Sequence, residues 1–362
     1  MPGFLIEREI CNCSPIAASQ QGVKRSLRFQ ITYLLYAGCR DLVLTTEWYV
    51  QFSLETEHMQ LGMVGLGRMG ANMTERLLAA GHRMIVHDRN PDVMVRIAAK
   101  GAVAADTLKD LAQKLTAPRA AWLMVPAGDP VDQTIDELTK HLTKGDVIVD
   151  GGNSNYKDTL RRAASLAQRG IQLVDCGTSG GIWGLKEGYS MMVGGDQNAV
   201  EHLRPALETL APASDRGWGH VGPTGAGHFV KMVHNGIEYG LMQAYAEGFA
   251  ILKRKEGFAL DVHQIAEIWR YGSVIRSWLL DLLAATLAQD SKLSGIAPWV
   301  DDSGEGRWTV QEAVDLDISA PVITHSLLER LRSRDTDSFA DKILAALRQE
   351  FGGHPVHKDQ SS

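Results

Sequence analysis

A short apolar strand that runs straight into a glycine-spaced turn and then a helix limits the fold of this chain more than any other feature. Residues 60–64 read Gln-Leu-Gly-Met-Val, Gly-Leu-Gly-Arg-Met-Gly follows over 65–70, and a helix is expected over 71–80, ended by Gly81. A GxGxxG run alone is weak; between a strand and a helix it specifies a dinucleotide turn. Gly65 permits the tight turn, Gly67 lets a pyrophosphate come close, and Gly70 lets the helix pack on the strand. The helix N-terminus then offers free N–H groups to an anion. Leu66, Arg68 and Met69 complete this candidate cofactor loop. The next strand, 83–87, ends at Asp88, eighteen residues after Gly70 (88 − 70 = 18). A carboxylate there suits the adenine ribose hydroxyls and favours NAD, whereas the adjacent Arg89 would welcome the 2′-phosphate of NADP. The acid holds the end-of-strand position, so NAD is expected, with NADP possible.

The strand–helix alternation continues to about residue 221, with further strands over 119–125, 146–150, 171–174, 190–193 and 217–221. Such repetition implies an α/β domain with a doubly wound, parallel, Rossmann-like sheet. Ligands bind such sheets at the carboxyl ends of the strands. That places 125–128, 151–154 and 175–181 on one rim, and makes Val125, Pro126, Ala127 and Asn153 candidate cofactor contacts. Beyond 228 helical patterns dominate. The expected organisation is therefore a dinucleotide domain over 59–227 and an all-helical domain over 228–362, for substrate binding and oligomerisation.

Residues 1–58 differ from the rest. They carry Cys11, Cys13 and Cys39 of the four cysteines and little sustained periodicity. We expect a disordered leader or mis-assigned upstream sequence there; an accessory segment is the alternative. The apolar patches of 31–44 are too short to span a bilayer. A formal net charge of −6 argues against a nucleic-acid binder. No CxxC pair suggests zinc or redox work, no carboxylate cluster suggests a divalent metal, and a cytoplasmic protein is expected.

The chemistry concentrates at the seam. Gly222, Gly225 and Gly227 lead into a helix from 229, on which Lys231, His234, Asn235 and Glu238 fall within roughly a 100° arc. One reading is a solvated i,i+7 charge pair on a surface helix. The other is a general base and a general acid aimed into a cleft, since Phe229, Val230, Met232, Val233 and Ile237 surround them. A free lysine titrates near 10.4, with only on the order of one in a thousand neutral near pH 7.5. A basic Lys231 therefore needs burial or a neighbouring cation such as His228 or His234. Ser179, Gly180 and Gly181 offer a hydroxyl and backbone N–H groups to a carboxylate.

Taken together, 65–70, Ser179-Gly-Gly181 and the 222–235 stretch with its lysine resemble the β-hydroxyacid dehydrogenases. Asp150-Gly-Gly-Asn-Ser154 and the run from Gly227 to Gly240 resemble the 6-phosphogluconate dehydrogenases within them. The resemblance covers 59–357 and matches the family's shorter form. It implies oxidative decarboxylation of 6-phosphogluconate to ribulose 5-phosphate and carbon dioxide with NAD(P)+ reduction, in the pentose phosphate pathway or gluconate use. It implies Lys231 as the base on the 3-hydroxyl and Glu238 as the acid that protonates C1 of the enediol. Ser179, Gly180, Gly181, His234 and Asn235 would hold the carboxylate end and hydroxyls, with Asn153 between nicotinamide and substrate. Tyr239, Thr309, Arg330, Arg348 and His354 match phosphate-gripping positions. Arg307 stands where the family has lysine, and can bind phosphate bidentately. The family's tail reaches into a neighbouring subunit, which implies a homodimer or homotetramer with tail exchange. Two rivals remain: a 3-hydroxyisobutyrate-type NAD-dependent dehydrogenase, which needs neither Glu238 nor the arginines, and a non-catalytic NAD-binding regulator, which needs none of the lysine, asparagine and glutamate.

Overall fold

The computed structural model describes residues 24–35, 42–53 and 58–357. Two compact units divide the chain, 1–58 and 59–362. In the first, strands β1 (Lys24–Leu35) and β2 (Leu42–Ser53) pair antiparallel, in register from Lys24 with Ser53 to Leu35 with Leu42. Those two stretches differ from the expected disordered leader. Their sequences hold a local period of two, with Leu27, Phe29, Ile31 and Tyr33 at alternate positions, which a reading for longer periodicity passes over. Cys11, Cys13 and Cys39 lie outside the described residues.

The second unit contains the remaining strands, β3 (Gln60–Val64), β4 (Arg83–His87), β5 (Val103–Ala104), β6 (Ala120–Leu123), β7 (Val147–Asp150), β8 (Gln172–Ser179), β9 (Ser190–Gly194) and β10 (Trp218–Gly222). Helices α1 (Arg68–Ala79), α2 (Pro91–Ala98), α3 (Leu108–Lys114), α4 (Asp129–Leu138), α5 (Tyr156–Ala167), α6 (Gly184–Glu187) and α7 (Gln197–Leu210) alternate with them. The sheet order is β10-β9-β8-β7-β6-β3-β4-β5. Chain direction across the sheet reverses between β3 and β6, so the cleft above their carboxyl ends is the topological switch point.

Neighbouring strands run parallel except β8 and β9, which pair antiparallel with Asp175 opposite Gly194. This departs from the all-parallel expectation. A parallel return needs a crossover of about a dozen residues or more, and 180–189 supplies only a 3₁₀ turn and the one-turn α6. Both faces of the sheet are covered. In β4, Met84 and Val86 join one apolar cluster with Met63, Trp122 and Val149, while Ile85 joins another with Val64, Leu123 and Ile148. Burial on both faces explains the near-continuous apolar strands.

The rest is helical: α8 (Ala226–Arg254), α9 (Val262–Arg270), α10 (Trp278–Gln289), α11 (Glu305–Asp315), α12 (Pro321–Arg332) and α13 (Phe339–Gly352). Helix α8 begins against the sheet. Asp175 of β8 is fully buried and accepts from the Gly225 N–H at 2.6 Å and the His228 N–H at 2.8 Å. This carboxylate satisfies donors that a helix start leaves unpaired and complements the helix dipole. Further along, α11 lies close on α8: a Cβ at Gly236 would sit 2.6 Å from Thr309, and one at Gly306 would sit 2.4 Å from the Tyr239 ring. No described helix is long and apolar enough to cross a membrane.

Candidate active site

A cleft of about 640 Å³ opens at the switch point, within the usual range for small-ligand sites, and Gly65, Gly67, Asp88, Arg89, Val125 and Asn153 are among its lining residues. The three glycines of the turn play distinct parts. Gly65 has φ +92°, and a Cβ there would meet the Met124 carbonyl oxygen at 2.6 Å; a Cβ at Gly70 would meet the Gly65 oxygen at 2.0 Å. At Gly67 an added Cβ meets nothing within 4 Å, so its face is open to the cleft. Helix α1 starts there without a side-chain cap and with no acid in its first turn, which leaves N–H groups for an anion. These features fit a dinucleotide.

Asp88 accepts from the Leu66 N–H at 2.6 Å and the Asn90 N–H at 2.8 Å. It thereby braces the turn as well as lining the cleft. Arg68, Met69 and Pro126 also line it, whereas Leu66 is buried and takes part through its N–H, and Ala127 is outside the lining. The sequence reading missed Pro130, Gln133 and Thr134 of α4, which form a wall. Their signal was a helix beginning directly after a strand-end loop on the ligand-binding rim.

Asn153 connects this cleft to the catalytic candidates. With φ +54°, it donates to the Thr178 carbonyl at 3.2 Å and accepts from the Thr178 N–H at 2.9 Å. The neighbouring Gly177 is where α8 touches β8, because a Cβ there would lie 2.3 Å from the Lys231 Cβ. Lys231 is only 5% exposed. Its Nζ donates to Asn235 Oδ1 at 2.6 Å and lies 3.3 Å from His234 Nδ1, which is itself 2.9 Å from that Asn235 oxygen. His234 Nδ1 is also 3.9 Å from Glu238 Oε2. All four side chains share one face of α8, as the 3.6-residue period required. Burial lowers the Lys231 pKa from its ordinary value, and the carboxylates of Glu238 and Glu305 oppose that shift. Ser179 ends β8, and Gly180 (φ +132°) and Gly181 (φ +51°) turn the chain away from it.

A second group of side chains gathers around 301–305. Tyr239 is buried, and its hydroxyl lies 3.2 Å from Ser303 Oγ. Arg330 stacks 3.4 Å above the Tyr239 ring and donates to the Asp301 carbonyl at 2.8 Å. Arg307 pairs with Asp302. Thr309 is buried, with its hydroxyl on the Met232 and Glu305 carbonyls at 2.7 and 2.8 Å, so within one chain it joins α11 to α8. Arg348 stands on α13 and His354 beyond its end. The contacts that gather Tyr239, Arg307 and Arg330 do not include those two.

Two models of one known family match this chain. The NAD binding domain of 6-phosphogluconate dehydrogenase matches 60–220, and the 6-phosphogluconate dehydrogenase C-terminal domain matches 227–350. The chain belongs to the 6-phosphogluconate dehydrogenase family. Among family members, the NAD(+)-dependent, decarboxylating 6-phosphogluconate dehydrogenase of Haloferax volcanii is 45% identical over 299 residues, 82% of this chain and 98% of that one. A putative 6-phosphogluconate dehydrogenase of Bacillus subtilis is 42% identical over 83% of this chain and 100% of its own. The solved 6-phosphogluconate dehydrogenase of Plasmodium falciparum, studied in apo form and with NADP+ and with 6-phosphogluconate, is 28% identical with TM-score 0.70, over 84% of this chain and 67% of that one. A 3-hydroxyisobutyrate dehydrogenase of Mycobacterium tuberculosis, 20% identical with TM-score 0.61 over 81% of this chain and 100% of that one, shares the fold.

Proposed function

We propose that this family member carries out the oxidative decarboxylation of 6-phosphogluconate with Lys231 and Glu238 as its proton-transferring groups. The observation that carries the reading is the short path from cleft to amine: Asn153 lines the cleft and holds Thr178, while adjacent Gly177 lies against Lys231. Burial favours the neutral amine, so Lys231 can take the proton of the substrate 3-hydroxyl. A bound nicotinamide supplies the acceptor for the C3 hydride. The resulting 3-keto acid releases carbon dioxide as the C–C bond electrons move toward the C3 carbonyl, and Lys231, now an ammonium, protonates that oxygen. Glu238, about two turns along the same face, protonates C1 of the enediol to give ribulose 5-phosphate.

His234 Nδ1 can accept from Lys231 only when it carries no proton, and can donate to Asn235 only when it does. Ser179, Gly180 and Gly181 are assigned to the carboxylate, and Tyr239, Arg307 and Arg330 to the phosphate. Arg348 and His354 of the partner subunit would complete the phosphate grip in an oligomer with exchanged tails. Asp88 in the cleft supports NAD as the preferred cofactor. The buried free thiol of Cys176 suits a cytoplasmic setting.

The test replaces Lys231 with alanine and follows reduced cofactor and released carbon dioxide together. Turnover is expected to fall by about 10²–10⁴ with the far-ultraviolet circular dichroism and cofactor affinity retained. Turnover near that of the parent would remove Lys231 as the base.

A further inference from the structure

The contacts of Arg307 raise a question that the reaction itself does not answer, since a cation assigned to a phosphate is already paired with an acid of its own chain. Arg307 Nε and Nη2 both donate to one carboxylate oxygen, Asp302 Oδ2, at 3.1 and 2.8 Å. The Asp302 side chain is only 5% exposed, while that of Arg307 is 53% exposed. The other oxygen, Asp302 Oδ1, accepts the Gly304 N–H at 3.0 Å and lies 3.5 Å from the Tyr239 hydroxyl. One carboxylate thus touches the loop backbone, a helix α8 side chain and the guanidinium.

The geometry of that pairing is informative. A guanidinium has five N–H donors in a rigid plane. Gripping it by Nε and Nη2 uses one edge and leaves Nη1 and the outer Nη2 hydrogen pointing along the opposite side. A lysine could not be held in this way, because its ammonium is a point charge on a flexible stem with no second edge to present. Asp302 is fixed by its own contacts: burial pushes its pKa up, but the Gly304 N–H and the Arg307 and Arg334 charges outweigh this, so it stays an anion.

We propose that Asp302 is a positioning residue for substrate recognition, which holds Arg307 edge-on so that its free end meets the phosphate of the sugar acid. This rests on the assignment of Arg307 to the phosphate made above. Asp302 does not itself touch the substrate. It limits the rotamers of a long, exposed side chain before binding, so less side-chain entropy is lost when the phosphate arrives. The pair also accounts for arginine at a family lysine position, since the acid and the planar cation work only together.

Asp302→Asn tests this, because an amide keeps the Oδ1 acceptor for Gly304 and so preserves the loop while removing the charge. Steady-state kinetics with 6-phosphogluconate and competition by inorganic phosphate would be measured for D302N, for Arg307→Ala and for the double variant. The expected results are a KM for D302N raised about fivefold, the scale of coupling between side chains in contact, a weaker phosphate inhibition, and a smaller change in kcat than in KM. In the R307A background, D302N should add nothing. A D302N enzyme with unchanged or lower KM, beside an R307A enzyme with raised KM, overturns the positioning role alone. An R307A enzyme with unchanged KM and phosphate inhibition overturns the underlying assignment of Arg307. Equal and additive losses in both backgrounds would show that Asp302 acts through the fold rather than through Arg307.

Discussion

At the scale of single residues, the placement of the candidate groups was legible where it followed a helix period. Lys231, His234, Asn235 and Glu238 could be placed on one face from spacing alone, and they touch in a chain of contacts. What spacing could not give was the set of groups arriving from other elements. Glu305 sits more than sixty positions away (305 − 231 = 74), yet its charge acts on the Lys231 amine. It stands in the first turn of α11, one turn before Thr309 on the same face, and Thr309 bonds the carbonyl next to Lys231. Ser303 donates its hydroxyl to the Glu305 carboxylate. Glu238 on α8 is the other carboxylate that acts on the amine, and His234 Nδ1 lies 3.3 Å from that amine. The sign of the Glu305 effect is clear: a nearby anion favours the ammonium, so it raises a pKa that burial lowers. Turnover should rise with pH as Lys231 loses its proton. Glu305→Gln removes one opposing charge, so the acid limb of the kcat profile is expected to move to lower pH. Coincident limbs for the parent and variant would show that Glu305 has no influence on the base.

At the scale of elements, the order of strands and helices was readable from alternation, and the reversed β9 was not. The reason is that parallel and antiparallel strands share one sequence pattern when both faces are buried, so only the shortness of 180–189 carried the information. The same holds for the β8–α8 contact. Gly177 lies inside a strand and looks like a mere weakness in it, yet it is the point where α8 comes closest. A Cβ there would lie 2.3 Å from the Lys231 Cβ and 2.8 Å from the Gly227 carbonyl oxygen, and neither neighbour is the free end of a flexible chain. Gly177→Ala must therefore push α8 away from the sheet. Overpacking of this kind typically costs about 1–3 kcal/mol, and here it also moves the amine relative to the Asn153 side of the cleft. The expected outcome is a lower urea midpoint together with a loss of kcat larger than any change in cofactor affinity. A variant with parental kcat would show that the position of α8 on β8 does not set the chemistry.

At the scale of the whole molecule, the division into a nucleotide domain and a helical domain follows from where the sequence changes period, but how the helical domain is completed does not. Helix α13 illustrates the point. Ser338 caps it through the Asp341 N–H, so the helix has a defined start, yet its described residues are all exposed. Phe339, Ile343, Leu344 and Leu347 fall on one face by their spacing and remain open to solvent, Phe339 at 74%. An apolar stripe of this kind on a formed helix requires cover. Arg348 follows on the same helix, and His354 lies just past its left-handed Gly353 end. The two tail residues assigned to the phosphate are thus attached to a helix whose described residues are all exposed. If α13 is covered by a second copy, docking that helix and completing the phosphate grip are one event. Deleting 338–362 should then lower the sedimentation coefficient to that of a single chain and raise the KM for 6-phosphogluconate, with cofactor affinity unaffected at the switch-point cleft, whose lining includes no α13 residue. Deletion that leaves both sedimentation and KM unchanged would mean that the stripe is not an intersubunit surface and that the phosphate is held within one chain. Dissociation with an unchanged KM would separate the two roles, assigning α13 to assembly and removing Arg348 and His354 from the site.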